Sequence, residues 1–571
     1  MKRKLIVMTL PVVLIAGMAV IMLNGCGNSA KKQTDMTQEF KDFVAALEKN
    51  TIPLLKEMRL ASFNANVSGK EEDYKKSADL EIKITKIFSN KSDFEKLKKI
   101  KESNTVTDEI LKRELDVLYN EFLSNQMDEK MLEDIIKLQS GIESKFNTFR
   151  AEIKGKKVSD NEVETILKTS TNSDELKETW EGSKKVGEVV SADIIKLVKM
   201  RNEVAKKLGF SNFYEMSLKL SEQEPKDIDK TFDELDSLTR NSFIEVKGEI
   251  DDYFAKLYKI KKEDLMPWHY QNRYFQEAPK IYKVDLDVYF KGKDVVEITK
   301  DYYKSIGMDI TDMVAKSDLY EKPGKYQHAM STNIDKEGDI RVLGSVKNNY
   351  YWMNTMMHEF GHSVYDKYID HSLPYYLRDP AHTFTTEAIA EMFGRMASNP
   401  QWLKDVMKIS DKEKEKISED CFKTFRMEQL VFSRWSQVMY RFEKGLYSNP
   451  DQDLNKLWWD LVEKYQMIKR PEGRNAPDWA SKIHIATSPC YYHNYLLGEM
   501  LASQLYYYIT EKILKSTDFK NQSFYGKPEV GKYLIDKIFK PGDKYYWNDM
   551  IEKATGEKLT AKYYAKQFTE K

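Results

Sequence analysis

Apolar residues recur every three or four positions from residue 36 to about residue 260, among many lysines and glutamates and few prolines. Examples are the runs Phe40, Phe43, Leu47 and Val190, Ile194, Leu197, Val198. This spacing places apolar side chains on one face of a helix. The pattern predicts a long series of amphipathic helices that each pack one face inward.

Composition narrows the fold class further. The 571 residues include only 24 glycines and 15 prolines, too few turn-forming residues for a many-stranded sandwich, barrel or propeller. A hydrophobic fraction of 41% excludes a disordered chain. The 91 basic and 91 acidic side chains balance, and no basic stripe is visible, so nothing predicts nucleic-acid binding. We expect a large, mainly α-helical protein, which we predict to be a monomer.

The N-terminus predicts export from a bacterial cytoplasm. Three basic residues (2–4) precede an apolar run from Leu5 to Leu23, which ends at Leu23-Asn24-Gly25-Cys26. A cysteine directly after Leu-x-Gly resembles the lipobox of bacterial lipoproteins. We predict a signal peptide over 1–25, acylation of Cys26, a tether over 26–35, and a lipid-anchored protein on the outer face of the cell membrane. The alternative is an uncleaved membrane anchor, since 19 apolar residues nearly span a bilayer.

The strongest chemical motif is His358-Glu359-Phe360-Gly361-His362, in an apolar segment that we expect to be helical. Residues four apart lie on one helix face, so both imidazoles can point at one cation. Two such histidines with a glutamate between them are the pattern of zinc hydrolases, in which the glutamate is the general base. The alternative is a pair of surface histidines with no metal. We favour one Zn²⁺ per chain.

A third ligand is expected on a neighbouring helix. The segment 383–391 offers Glu387, which would complete a two-histidine, one-glutamate site of the catalytic type. Glu391, one turn further on, could accept a hydrogen bond from a ligating imidazole. The cysteines that would remain in the mature chain, Cys421 and Cys490, could form one disulfide or none.

Further along, Lys482 and His484 precede three closely spaced tyrosines, Tyr491, Tyr492 and Tyr495. Peptide hydrolysis creates a tetrahedral oxyanion, which histidine and tyrosine donors can stabilise. An aromatic core stripe is the simpler explanation for Tyr491 and Tyr492 taken alone.

Taken in order, these motifs resemble the zinc peptidases of the angiotensin-converting enzyme family. The resemblance covers roughly residues 270–510, and its motifs are Gln327-His328-Ala329, the H-E-x-x-H helix, Glu387-Ala388-Ile389 with Glu391, Leu457-Trp458-Trp459, Lys464-Tyr465-Gln466 and Lys482-Ile483-His484. It implies a large two-lobed helical fold with a deep central cleft and a small β element near the zinc helix. Residues 36–571 would form one domain, with a helical wall and lid over 36–260, the zinc-containing catalytic part over 261–515 and further helices over 516–571.

The resemblance also assigns roles. Zinc would be held by His358, His362 and Glu387, with Glu359 as base and later acid. Transition-state stabilisation would fall to His484 and Tyr495, with Tyr492 as a rival because the tyrosine spacing is one residue longer than in the family. Substrate backbone would pair with His328 and Ala329, and its terminal carboxylate would meet Lys482. The family's carboxylate-binding glutamine has no clean counterpart, since Gln271 is shifted by one position.

Three functions therefore compete. The first is a zinc peptidase that cleaves short peptides and releases C-terminal dipeptides. The second is an oligopeptidase of the thimet oligopeptidase or oligoendopeptidase F type, because those families also carry H-E-F-G-H and a distant glutamate. The third is a lipoprotein that binds peptides without cutting them. Retention of Glu359 favours an enzyme, because a pure binder has no need of a base beside the metal. A purely structural helical scaffold would leave the whole set of motifs unexplained.

Overall fold

The computed structural model describes residues 34–569, so the predicted signal peptide, Cys26 and most of the tether lie outside the described residues. Helices dominate this part of the chain, which confirms the predicted mainly α fold. The N-terminal helices are α1 (Thr37–Ser68), α2 (Glu71–Phe88), α3 (Lys91–Ser103), α4 (Glu109–Ser124), α5 (Glu129–Thr148), α6 (Asp160–Thr169), α7 (Ser173–Lys207), α8 (Phe213–Leu220) and α9 (Pro225–Tyr258). A short antiparallel hairpin, β1 (Ala151–Ile153) and β2 (Lys156–Val158), interrupts this series.

The rest of the chain adds a second hairpin and thirteen α-helices within the described residues, besides short 3-10 and π turns. The hairpin consists of β3 (Met330–Asn333) and β4 (Ile340–Leu343), which pair antiparallel from Met330 opposite Leu343 to Asn333 opposite Ile340. The helices are α10 (Asp287–Phe290), α11 (Val295–Ser305), α12 (Thr311–Lys316), α13 (Tyr350–Lys367), α14 (Thr383–Gly394), α15 (Pro400–Met407), α16 (Asp411–Ser448), α17 (Leu454–Leu461), α18 (His484–Thr487), α19 (His493–Tyr508), α20 (Pro528–Leu534), α21 (Trp547–Thr555) and α22 (Lys562–Thr569).

Two large hydrophobic cores hold the described residues together, with a small third cluster in which Phe63 of α1 meets Ile334 and Leu343 at the second hairpin. Helices α1–α4 bury their apolar faces on one another, and Tyr375 and Tyr376 reach into this small core from the loop after α13. The main core begins at Ile135 on α5 and extends to Phe568 on α22. Helices α5–α9 therefore share a core with the segment that carries the motifs, whereas α1–α4 form a layer of their own. The predicted apolar faces are confirmed, since Phe40 and Ile194 are fully buried.

Salt bridges join the α1–α4 layer to the main body. Arg113 of α4 pairs with Glu222 and with Asp543, and all three side chains are at most 18% exposed. Thr51 of α1 shares a hydrogen bond of 2.5 Å with the Tyr376 hydroxyl. Cys421 and Cys490 are both buried free thiols, so they do not pair. Within residues 34–569 no helix is long and apolar enough to cross a membrane.

Candidate metal centre

Helix α13 presents the two motif histidines to one point in space. It starts after Asn349, whose side-chain oxygen accepts a hydrogen bond of 2.9 Å from the Trp352 N–H and so caps the first turn. His358 and His362 follow on one face, as the four-residue spacing requires. Their Nε2 atoms lie 3.2 Å apart, with both side chains about one-fifth exposed.

Glu387 reaches the same point from α14. Its two carboxylate oxygens lie 3.7 Å from His358 Nε2 and 3.7 Å from His362 Nε2. The three donor atoms all lie within 4.8 Å of one another, and no other group of three His, Cys, Asp or Glu in residues 34–569 has this arrangement. Ligands at zinc–donor distances of about 2.0–2.1 Å in a tetrahedral site stand roughly 3.3 Å apart. The donor types and their separations thus fit Zn²⁺.

Glycines set the helix spacing that brings these donors together. A Cβ atom on Gly361, inside the motif, would lie 2.8 Å from the Cα of Ala390 on α14, closer than packed atoms approach. On the other side of α14, a Cβ on Gly498 of α19 would lie 3.2 Å from Cγ of Glu387. The small residues therefore let α13, α14 and α19 pack at close range, with Glu387 between them.

Two further side chains face the other nitrogens of the imidazole rings. Glu391 lies 3.7 Å from His358 Nδ1, on the side the sequence predicted but at ion-pair rather than hydrogen-bond distance. Thr386 shares a hydrogen bond of 2.8 Å with His362 Nδ1, which sequence reasoning missed. Its position directly before Glu387 in the sequence could have identified it as a residue near the metal centre. Such contacts fix the orientation of ligating rings.

Glu359 lies in a buried position beside the histidines, with 8% of its surface exposed. Burial raises the pKa of this carboxyl, while positive charge on His358 and a backbone hydrogen bond from Ser331 oppose the rise. Ser331 belongs to β3, and its hydroxyl also lies 2.8 Å from that of Ser363 on α13. The predicted small β element near the zinc helix is therefore present, and it positions the glutamate.

Of the three tyrosines, Tyr495 and Tyr491 feel the charge of the metal ligand Glu387, and Tyr492 does not. Burial raises the pKa of Tyr495, and the charge of Glu387 raises it further; the same two causes act on Tyr491. Tyr492 is 7% exposed, and its hydroxyl accepts a hydrogen bond of 2.8 Å from Trp435 Nε1. The influence of Glu387 therefore favours Tyr495 over Tyr492 as the tyrosine nearer the metal ligands. Tyr491 joins it as a residue that sequence reasoning had assigned to the core.

His484 contacts the ring of Tyr492, with ring centroids 5.6 Å apart. The ring of Tyr492 in turn contacts that of Tyr495, at 5.4 Å. Burial and the nearby Lys482 lower the pKa of His484 to about 4, so its ring is neutral at pH 7. Its Nδ1 atom is buried and has no hydrogen-bond partner within the described residues.

Lys482 is buried in an aromatic pocket. Its Nζ lies 5.2 Å from the ring centre of Tyr274, 5.4 Å from that of Trp435 and 5.6 Å from that of Tyr492. Burial lowers the pKa of this lysine to about 8. Within residues 34–569 no carboxylate lies within 4 Å of Nζ, whose hydrogen bond of 2.6 Å goes to the neutral side-chain oxygen of Gln276.

That contact places a glutamine beside Lys482 that the sequence did not single out. Gln271, the residue then considered, instead donates its amide to the backbone oxygen of Lys168, at 3.1 Å. The glutamine beside Lys482 is Gln276, in the irregular segment between α9 and α10. Such a segment has no periodicity from which its side-chain directions could be predicted.

His328 and Ala329 lie directly before β3. His328 is exposed and stacks near Tyr326, with ring centroids 5.3 Å apart, and Ala329 packs partly against the main core. Among the described residues β3 pairs with β4 alone, so its other edge is unpaired. The predicted role of these two residues in holding substrate backbone stays a prediction.

Comparison with known proteins agrees with this geometry. A family model described as angiotensin-converting enzyme, of the M2 peptidases, matches residues 34–569. Angiotensin-converting enzyme from Rattus norvegicus is 23% identical over 429 residues, and that from Sus scrofa is 23% identical over 434 residues. Each match covers 69% of this chain and 32% of the relative, so the chain spans about a third of the length of these relatives.

A second peptidase type also matches. Oligoendopeptidase F from Lactococcus lactis subsp. cremoris is 23% identical over 321 residues, which cover 54% of this chain and 48% of that protein. The two resemblances expected from the motifs are therefore confirmed, and the family model decides between them because it spans nearly all of the described chain. This protein belongs to the angiotensin-converting enzyme family of peptidases.

Proposed function

We propose that this protein is a zinc-dependent peptidase that releases dipeptides from the C-termini of short peptides. The observation that carries the proposal is the convergence of His358, His362 and Glu387 within 4.8 Å, beside the buried Glu359. When bound there, Zn²⁺ would supply Lewis-acid chemistry to the scissile carbonyl and the attacking water. Side chains of the protein would transfer the protons, stabilise the charge on the carbonyl oxygen and bind the substrate.

Glu359 moves the protons. Its carboxylate takes a proton from the attacking water and then gives it to the departing amine. A buried carboxyl with a raised pKa holds such a proton more readily than an exposed one does. The backbone hydrogen bond from Ser331 fixes its direction, so that a peptide lying along β3 meets the base.

Charge that develops on the carbonyl oxygen is stabilised by hydrogen-bond donors. Tyr495 carries its proton at neutral pH and can donate it in a hydrogen bond, and burial and the charge of Glu387 raise its pKa further. His484 is neutral and donates through one ring nitrogen, as a partner in the same role. Tyr492 contacts the rings of both His484 and Tyr495 and would position them.

Lys482 and Gln276 select a free C-terminus. A buried ammonium group without a carboxylate partner is costly, and a substrate carboxylate would satisfy it. Gln276 offers a side-chain amide beside that charge. At the other end of the peptide, the unpaired edge of β3 with Ala329 and His328 would accept extended substrate backbone.

Incubation of the purified protein with N-acetylated hexapeptides tests this proposal, each peptide being supplied with a free and with an amidated C-terminus. Mass spectrometry should show loss of two residues from the free forms, and a chelator should stop it. Internal cleavage at equal rates in both forms would instead support an oligoendopeptidase, which the Lactococcus relative favours. Binding without cleavage in the zinc-loaded protein would support a peptide-binding lipoprotein.

We also propose that the protein is exported and held on the outer face of the bacterial membrane by a lipid on Cys26, as a monomer that binds no nucleic acid. The support for the anchor is the sequence of residues 1–26, and the balance of 91 basic and 91 acidic side chains gives no electrostatic case for nucleic acid. Metabolic labelling with a radioactive fatty acid should mark the wild-type chain and not a Cys26→Ser variant, which should leave the membrane fraction. Labelling of both would disprove the anchor site.

A further inference from the structure

A second cavity lies beyond the C-terminal end of α14. Its volume is about 740 Å³, and none of the metal ligands, catalytic residues or carboxylate-binding residues named above lines it. Its walls come from α14, α16, α19, α22 and the segment 517–520, and they are largely apolar: Met396, Phe425, Tyr506, Phe519 and Phe568. Cavities of this size, apolar with a few polar groups, are typical small-molecule sites.

Arg395 lies in the wall of this cavity. Its side chain is 10% exposed, and its guanidinium packs against the rings of Phe425 and Phe568, at 5.4 and 5.9 Å from their centres. One terminal nitrogen pairs with Glu499 of α19. The Nε atom is buried and has no hydrogen-bond partner within residues 34–569. A buried donor left without an acceptor is costly, so this nitrogen points to a ligand.

A second unpartnered atom lines the same cavity. The side-chain oxygen Oε1 of Gln567 is buried and accepts no hydrogen bond from any described residue. The charges of the lining are also unequal, with five basic and three acidic side chains. Of the basic ones, Lys520 and Lys566 are exposed. The cavity therefore offers one donor, one acceptor, an excess of positive charge and aromatic walls.

We propose that this cavity binds an aromatic carboxylic acid that carries one N–H or O–H donor. The carboxylate would accept a hydrogen bond from Arg395 Nε, and the donor would meet Gln567 Oε1. The aromatic body would pack between the ring walls. The guanidinium is held by its packing against two phenylalanines and by its pair with Glu499, so it is already oriented for a carboxylate.

The site is separate from the metal centre although the two share a helix. Glu387, Glu391 and Arg395 follow one another at four-residue spacing along α14 and its final turn. Eight residues of helix place Arg395 roughly 12 Å from Glu387. Occupation of the cavity should therefore not require zinc and should not compete with a peptide at the zinc site.

Titration calorimetry on the full chain tests the proposal with N-acetyl-L-phenylalanine as the probe. We expect one molecule bound per chain, with the same affinity before and after treatment with a chelator. N-acetyl-L-phenylalanine amide, which lacks the carboxylate, should bind at least about tenfold more weakly, since a charged hydrogen bond is lost. Gln567→Leu should lower the affinity for the acid by about threefold or more.

Arg395→Gln should lower the affinity for N-acetyl-L-phenylalanine at least about tenfold and leave the affinity for its amide unchanged. Because this change also breaks the pair with Glu499, Thr517→Trp provides a second variant: Thr517 is exposed at the cavity and a tryptophan there would block it without touching the core. Circular dichroism checks that both variants fold. Equal affinity for acid and amide, binding lost on chelation, or displacement by an uncleaved peptide in the Glu359→Gln protein would overturn the proposal.

Discussion

The metal centre and the Lys482 pocket are built in opposite ways. At the metal centre, every donor sits on a helix, and three helices pack closely enough that Gly361 and Gly498 leave no room for a side chain. The Lys482 pocket draws on an irregular segment that carries Tyr274 and Gln276, on α16, and on the turn before α18. One site depends on rigid helix geometry and the other on a buried charge.

Because the two sites are built differently, substitutions in them should change different kinetic parameters. Atoms at the metal centre must hold positions to within a fraction of an ångström, because the reacting groups meet there. In the pocket, the burial of one ammonium group matters more than its exact position, since the ion attracts a terminal carboxylate at a distance. Changes at the metal centre should therefore act on kcat or on metal affinity, and changes in the pocket on KM and on the preference for free C-termini.

The largest expected effect follows from Glu359→Gln. The amide cannot accept the proton, so kcat should fall by about 10³-fold or more. Zinc content should stay near one per chain, because Glu359 is not among the three converging donors. Metal analysis and steady-state kinetics on one preparation measure both quantities.

Glu391→Gln provides the matched control for that variant. Glu391 lies 3.7 Å from His358 Nδ1 and is another acidic residue next to the centre without being one of the donors. We expect it to lower metal affinity by about tenfold and to leave kcat of the loaded enzyme within a few-fold of the original value. A Glu359→Gln protein with unchanged turnover would disprove the general base.

Gly361→Ala tests the helix spacing. The added methyl would lie 2.8 Å from Ala390 Cα, so α13 and α14 must separate, at a cost of about 1–3 kcal/mol in unfolding free energy. Zinc affinity should fall with it, because His358 and His362 move away from Glu387. Denaturant unfolding and competition with a chelator measure the two effects.

Gly248→Ala, in the middle of α9, is the matched control. An added Cβ there meets no atom within 4 Å, and alanine favours a helix. This variant should increase the unfolding free energy by about 0.5–1 kcal/mol and leave the zinc affinity unchanged. A gain in stability for both variants would show that the close helix contact does not matter.

The same contrast explains what the sequence could predict. His358 and His362 are tied by helical spacing, and Glu387 follows on the next helix, so pattern alone brought all three together. Gln276 could not be assigned, because it comes from an irregular segment 206 residues before Lys482 and only the tertiary fold brings them to 2.6 Å. The same is true of Thr386, whose contact with His362 Nδ1 depends on how α13 and α14 pack. The separate α1–α4 core also could not be predicted from the sequence. Amphipathic periodicity shows that a helix face is buried, but it does not show which other element that face packs against.

Lys482→Ala tests the pocket. Loss of a charged hydrogen bond of about 1.5–3 kcal/mol should raise KM for peptides with a free C-terminus by about 10- to 100-fold. For amidated peptides KM should change little, and kcat should stay within a few-fold for both. An equal rise in KM for free and amidated peptides would leave Lys482 as a packing residue only.

The smallest expected effect is a change with pH in the preference for free over amidated peptides. Burial lowers the pKa of Lys482 from 10.5 to about 8, so the folded enzyme carries the full charge below pH 8 and loses it above. Since kcat/KM reports the ionisation of the free enzyme, the ratio of kcat/KM for free over amidated peptides should fall by up to about tenfold from pH 7 to pH 9. Measuring a ratio cancels ionisations that affect both substrates, such as those at the metal centre.

Lys482→Arg separates this ionisation from any other in the pocket. A guanidinium stays charged over the whole range, so the ratio should be flat above pH 8 in that variant. Stability gives an independent sign. Because the folded-state pKa is the lower one, the buried charge costs stability at and below pH 8, and that cost, roughly 3 kcal/mol, is relieved as the pH rises towards 10.5. A wild-type ratio that does not change between pH 7 and 9 would mean that Lys482 is not the group that recognises the carboxylate.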